Sequence, residues 1–275
     1  MSDTSHSSRV FIVGLPRTAS KWIQDVLNTH TECCVTHEMH VLTLWRRSGD
    51  RVIRQKVHEV TASGKTAALR ELVLSERLFG SFWTSREHEY TVFCLTEAEL
   101  ERALDTVCDG QTMLTAMMEA QRGHYSKLRP GSRHPVHFIY LGKLLKWYPD
   151  SRVIFLTRRM TEIMRSQRAR HVPEEAGWFR RTVLNSAVVL HCVIQSLLAT
   201  LILWRWEKDA RILRVRYSDL VEHSETTFKA ICDHVEVPFH IQMIEGSRQY
   251  DSAFDEMTRQ VPSYSIEWNA EGSDQ

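Results

Sequence analysis

Arg9-Val10-Phe11-Ile12-Val13-Gly14-Leu15-Pro16-Arg17-Thr18-Ala19-Ser20-Lys21-Trp22, continued by Ile23, Val26 and Leu27, decides the fold. Val10 to Val13 is a β-branched and aromatic run, Gly14 and Pro16 interrupt it, and apolar residues then recur at helical spacing. The order is therefore buried strand, tight loop, helix. A strand that feeds a loop at a helix N-terminus gathers unpaired amides and the positive end of the helix dipole, so it binds anions. Phosphate or sulfate is the first ligand to consider. A nucleotide triphosphatase loop needs Gly, four residues, then Gly-Lys-Ser/Thr. Laid on Gly14, that template puts Ala19, Ser20 and Lys21 at its three closing positions, so its magnesium-dependent form is broken.

The surviving pattern, Pro16 to Trp22, resembles the 5′-phosphosulfate loop of sulfotransferases, usually Pro-(Lys/Arg)-(Ser/Thr)-Gly-(Thr/Ser)-Thr-(Trp/Leu). Those enzymes use 3′-phosphoadenosine 5′-phosphosulfate (PAPS) as donor, release PAP and need no metal. Further along, Cys33 to Thr36 reads as a short strand, and His37-Glu38-Met39-His40 follows it. Residues at the C-terminal end of a strand in an α/β sheet face the ligand crevice. The segment looks like the Glu-x-His element of heparan-type and many bacterial sulfotransferases, in which the glutamate is the general base. Arg152 to Thr157 is the clearest strand in the chain. It ends in Arg158, with Ser166 eight residues on. This pair resembles the family's 3′-phosphate motif, a strand-terminal arginine and a serine on the next helix, although Arg159-Met160 replaces the usual Asp/Asn-Pro.

Weaker matches accompany these. Arg133-His134-Pro135 resembles a Lys-x-Pro segment with arginine in place of lysine, and Arg133 is read either near the sulfuryl group or as a surface arginine. Arg216-Tyr217-Ser218-Asp219-Leu220 resembles Arg-Tyr-Glu-Asp-Leu, with Tyr217 near the adenine or structural. Together the resemblances run from Val10 to Phe239 apart from an insertion.

They imply one α/β domain over 1–275, with a central parallel sheet, a frayed tail at 1–8 and a helical acceptor-side insertion at 41–129. The amides of Arg17 to Lys21, with the Thr18 and Ser20 hydroxyls, would hold the 5′-phosphate, and Arg17 would neutralise the bridging oxygen. Ala19, in place of glycine, is expected to avoid positive φ. Lys21 adds a second positive contact or points to solvent, and Trp22 stacks on adenine or packs in the core. Glu38 would deprotonate a hydroxyl or amine, with His40, or His37, orienting it or substituting for it. Trp45, Phe79, Phe82, Trp83 and Tyr90 either line an acceptor mouth or pack internally, and Arg248 and Arg259 would close over the cofactor.

Composition sets the remaining limits. At 275 residues, 43% hydrophobic and 25% charged, the chain can build one sizeable core, and a net charge of +1 argues against a nucleic-acid partner. Six cysteines without a Cys-x-x-Cys pair read as reduced core thiols, with no zinc site, in a cytoplasmic protein. Val183 to Trp204 is apolar enough to span a membrane, but its scattered polar residues favour a buried core helix. The acceptor (small molecule, sugar or lipid) and the oligomeric state carry no signature. Two other readings are compatible with the loop: a P-loop small-molecule kinase, and an inactive PAP- or nucleotide-binding protein.

Overall fold

The computed structural model describes residues 8–42, 49–58, 64–74, 95–172 and 177–247. Strand β1, Val10–Gly14, lies at the centre of a five-stranded sheet with β2 (Cys33–Thr36) and β3 (Arg129–Arg133) on one side. On the other side lie β4 (Arg152–Thr157) and β5 (Ile212–Arg216). The order is β2-β3-β1-β4-β5, and every pairing is parallel. The chain goes from β1 to the edge strand β2, returns to place β3 between them, and then crosses to β4 and β5 on the other side. The strand order thus switches at β1 and opens a crevice at the C-terminal ends of the central strands.

Alternation along β1 divides the hydrophobic residues between two cores. Phe11 and Val13 face a core with Val153, Phe155 and the helices of the insertion. Val10 and Ile12 face another, with Ile154, Leu156 and helix α1 (Ser20–Thr29). The described part of the insertion is helical, with α2 (Gly49–His58), α3 (Lys65–Leu74), α4 (Glu97–Asp105) and α5 (Gly110–His124). The spacing Thr96-x-x-Glu99 predicts a capping box at a helix start, and Thr96 caps α4 through that box. Trp45, Phe79, Phe82, Trp83, Tyr90, Arg248 and Arg259 lie outside the described residues.

Strand β3 has no counterpart in the sequence reading. Its segment, Arg-Pro-Gly-Ser-Arg, contains no β-branched residue. Its place between β1 and β2 is explained by close approach, since a Cβ on Gly131 would stand 2.6 Å from the Val10 carbonyl oxygen. A 3₁₀ turn, Pro135–Tyr140, then leads to α6 (Leu141–Trp147). Beyond β4 come α7 (Met160–His171), α8 (Trp178–Trp206), α9 (Tyr217–Glu222) and α10 (Ser224–His234).

Two expectations need correction. Helix α8 is not a buried core helix: Cys192, Ala199 and Leu203 are buried along it, while Leu190, Leu197, Leu201 and Trp204 are more than half exposed. Among the described residues one seam of α8 meets the rest of the protein, where small Cys192 and Ala199 let the helix lie close, with Leu203 beside them. Cys108 is exposed in the turn between α4 and α5 rather than in a core, whereas Cys33, Cys34, Cys192 and Cys232 are buried free thiols.

Candidate active site

The loop after β1 turns through the left-handed region twice, at Arg17 (φ 64°) and Ala19 (φ 62°), and Ala19 is the N-cap of α1. The expectation that Ala19 avoids positive φ is therefore wrong. The turn must deliver the chain from the end of β1 to the start of α1, and the tertiary frame imposes the strain on alanine. At the start of the loop, Gly14 has φ 139°, and a Cβ there would stand 2.2 Å from the Leu156 oxygen, so β1 and β4 press together at the crevice.

The loop side chains divide their duties. Thr18 is buried and donates its hydroxyl to the Leu15 carbonyl at 2.6 Å, so its proton braces the loop. Lys21 turns back along α1 to Asp25, 2.7 Å away, which departs from both a second contact at the anion and an excursion into solvent. Trp22 donates Nε1 to Ser247 and meets Phe228 edge to face with centroids 5.1 Å apart, which fits its packing alternative.

Arg158 leaves the end of β4 and reaches this loop. Its Nη1 donates to the Arg17 carbonyl at 2.7 Å, its Nε to Glu162 on α7 at 2.9 Å, and its guanidinium lies 3.7 Å over the Tyr217 ring. Arg17 in turn donates Nε to Ser166 Oγ at 2.9 Å. Arg17, Arg158, Ser166 and Tyr217, spread over some 200 positions of sequence, thus join in one cluster beside the N-terminus of α1. Two guanidinium groups and a hydroxyl, with Glu162 on one of the arginines, lie there next to the positive end of the helix, which is chemistry for phosphate or sulfate.

A second group forms beside the loop at the ends of β2 and β3. Asn28 and Gln24 of α1 clamp the backbone of Val35, Asn28 by accepting from its amide and donating to its carbonyl, so the strand end is fixed against the helix. Glu38 follows, and Arg133 donates Nη1 to its Oε1 at 2.6 Å while giving Nε to Gln24 at 2.7 Å. The same Nη1 is 3.4 Å from Ser20 Oγ. Arg133 has 11% of its side chain exposed, so the surface-arginine alternative fails. It ties the carboxylate to the first turns of the loop helix.

His40 and His134 complete this side. His134 Nε2 and His40 Nδ1 are 3.0 Å apart and share one proton. His134 also stacks on His137 at 3.9 Å. Desolvation, reinforced by neighbouring imidazoles and Arg133, holds His134 well below the ordinary histidine range, and burial puts His137 at about 3. His37 is lowered to about 3 as well, by burial and then by the charges of Arg133 and Lys21. None of the three is a cation at neutral pH, which limits the positive charge beside the carboxylate. Donor atoms of Glu38, His40 and His134 lie within 4.8 Å of one another, close enough to take a divalent ion. Here the carboxylate is engaged by Arg133 and the two rings by each other. His134 and Gln24 were not singled out from the sequence. The signal for His134 was its place directly between Arg133 and Pro135, the residue that opens the 3₁₀ turn.

A profile described as the sulfotransferase family matches residues 9–240. Among solved structures, the sulfotransferase domain of the Synechococcus PCC 7002 olefin synthase is similar with a TM-score of 0.54 at 17% identity, covering 87% of this chain and 78% of that one. The sulfotransferase domain from the curacin biosynthetic pathway gives 0.50 at 16% identity, with 87% and 77% covered. At these identities the structural likeness bears on the fold. No curated protein matches the sequence.

Proposed function

The chain belongs to the sulfotransferase family, and we propose that it moves a sulfuryl group from PAPS to a hydroxyl or amine of a small-molecule, sugar or lipid acceptor. The observation that carries this reading is the meeting of Arg158 and Ser166 with the Arg17 to Lys21 loop. Two anion sites joined in this way suit a nucleoside phosphorylated at both its 3′ and 5′ positions. In this reading the loop amides and Ser20 hold the 5′-phosphate, Arg158 and Ser166 hold the 3′-phosphate, and Tyr217, under the Arg158 guanidinium, borders the adenosine. The Ser166 hydroxyl accepts from Arg17 Nε and keeps its own proton to donate to the 3′-phosphate. The rest of the Arg17 guanidinium is directed to the bridging oxygen, where charge develops.

Glu38 takes the acceptor proton, the acceptor oxygen or nitrogen forms its bond to sulfur, and the bond from sulfur to the phosphate oxygen breaks with its electron pair leaving on PAP. Transfer of this in-line kind depends on positioning and charge stabilisation. Arg133 positions the carboxylate, and His40, its ring oriented by His134, borders the acceptor. The reaction so written takes no metal. Cytoplasmic placement belongs to the same proposal and is supported by the buried free thiols.

Release of PAP from PAPS in the presence of a panel of phenols, amines and sugars tests the reading. Glu38→Gln should lower kcat by about 10²–10⁴ and leave PAP affinity unchanged. Unchanged turnover would remove Glu38 as base, and no PAP release with any acceptor would leave a nucleotide-binding protein.

A further inference from the structure

Helix α8 carries an apolar stripe that the described protein does not cover. Buried Cys192, Ala199 and Leu203 define the side that meets the body. At 100° per residue, Ala187, Leu190, Ile194, Leu197, Leu201 and Trp204 fall on the opposite side. All six are exposed, with Leu190 at 62%, Leu201 at 61% and Trp204 at 72%. They are spaced three, four, three, four and three residues apart, and Val183 extends the series by four more toward the N-terminus. This is a heptad seam with aliphatic residues at nearly every a and d position.

The periodicity selects the kind of partner. Exposed Ser186, His191 and Thr200 flank the stripe, with Leu198 widening it on one side, and leave it about the width another helix covers. A bilayer would immerse those polar flanks, although by length and composition α8 could cross one. Charge then selects the direction. Exposed Arg180 and Arg181 stand at one end, and Arg205, Glu207, Lys208 and Asp209 form a mixed set at the other. A parallel pair would put the four arginines of two copies together. An antiparallel pair centred near Ile194 sets Ala187 against Leu201 and Leu190 against Leu197. It also separates the two arginine pairs and sets each beside the negative end of the other copy's helix dipole. Such a contact buries roughly 600–800 Å² per copy, close to what a standard stable interface needs.

We propose that the chain forms a two-fold dimer in which the exposed α8 seams of two copies pack antiparallel. The pairing braces α8, against which α7 and its Ser166 are packed.

The test is sedimentation velocity on the full chain at low micromolar concentration. The parent should run as a dimer. Leu190→Glu combined with Leu197→Glu should run as a monomer with an unchanged circular dichroism spectrum, as expected for exposed positions. In a Cys108→Ser background, Ile194→Cys should give an oxidised covalent dimer above the level of the parent. Val183→Cys should not, because its two sites would lie about 33 Å apart along the axis. A monomeric parent, a dimer that survives the two glutamates, or equal cross-linking at both positions would overturn the proposal. So would flotation of the chain with phosphatidylcholine–phosphatidylserine vesicles that is lost in the glutamate variant.

Discussion

Ala19 at φ 62° carries a conformation that costs an L-residue about 1–2 kcal/mol, most of which glycine avoids. Glycine loses more chain entropy on folding, so Ala19→Gly should stabilise the protein by a net of about 0.5–1 kcal/mol, read by urea unfolding. A loss of stability would show that the Ala19 methyl matters more than its backbone. Arg133 works at the same scale. Removing it frees Glu38 and leaves Gln24 Oε1 without its guanidinium donor. Arg133→Ala should therefore lower kcat about tenfold or more while PAP affinity changes by less than about threefold. A purely structural arginine would move both together or neither. Arg17, Arg158 and Ser166, placed in the sequence by their resemblance to phosphate-binding motifs, are brought into contact by the fold, and Glu38, placed by the Glu-x-His resemblance, lies beside the loop helix on Arg133. Two neighbouring contacts were missed: Lys21 and Asp25 stand at the i, i+4 spacing that pairs them on α1, a signal left unread, whereas the turn of Thr18 toward Leu15 depends on a local rotamer.

Elements were readable where local pattern and burial agree. β1, β4 and the Thr96 box on α4 fall where β-branched runs and capping chemistry put them. β3 was hidden because its fitness as a strand lies in the absence of a side chain at Gly131, where the Val10 carbonyl leaves no room. Gly131→Ala should therefore cost about 2–4 kcal/mol, seen as a lower urea midpoint at unchanged slope. A near-neutral result would mean the β1–β3 spacing can relax. Helix α8 was misread for the complementary reason: its hydrophobicity is evident in sequence, but which face meets the body is settled by small residues, Cys192 and Ala199.

For the whole molecule, the buried imidazoles set a pH response. His134 and His137 have folded-state pKa values below the ordinary 6.5, His137 at about 3, so the unfolded chain takes up protons first as pH falls. Their contribution is present above pH 6.5 and is lost progressively as pH falls toward 3, about 2 kcal/mol for His137 at pH 5, with His134 acting in the same direction. Urea unfolding at pH 7.5 and pH 5 should show this drop, and it should shrink in His137→Asn. Equal stability at the two pH values would mean that the pair is hydrated.

Everything turns on the two anion sites acting on one ligand. Isothermal titration of PAP and of adenosine 5′-monophosphate, against the parent chain and Arg158→Ala, measures that directly. PAP should bind the parent about 10–100-fold more tightly than the monophosphate, and Arg158→Ala should abolish most of that preference. Equal affinities for the two nucleotides in the parent chain would contradict the account.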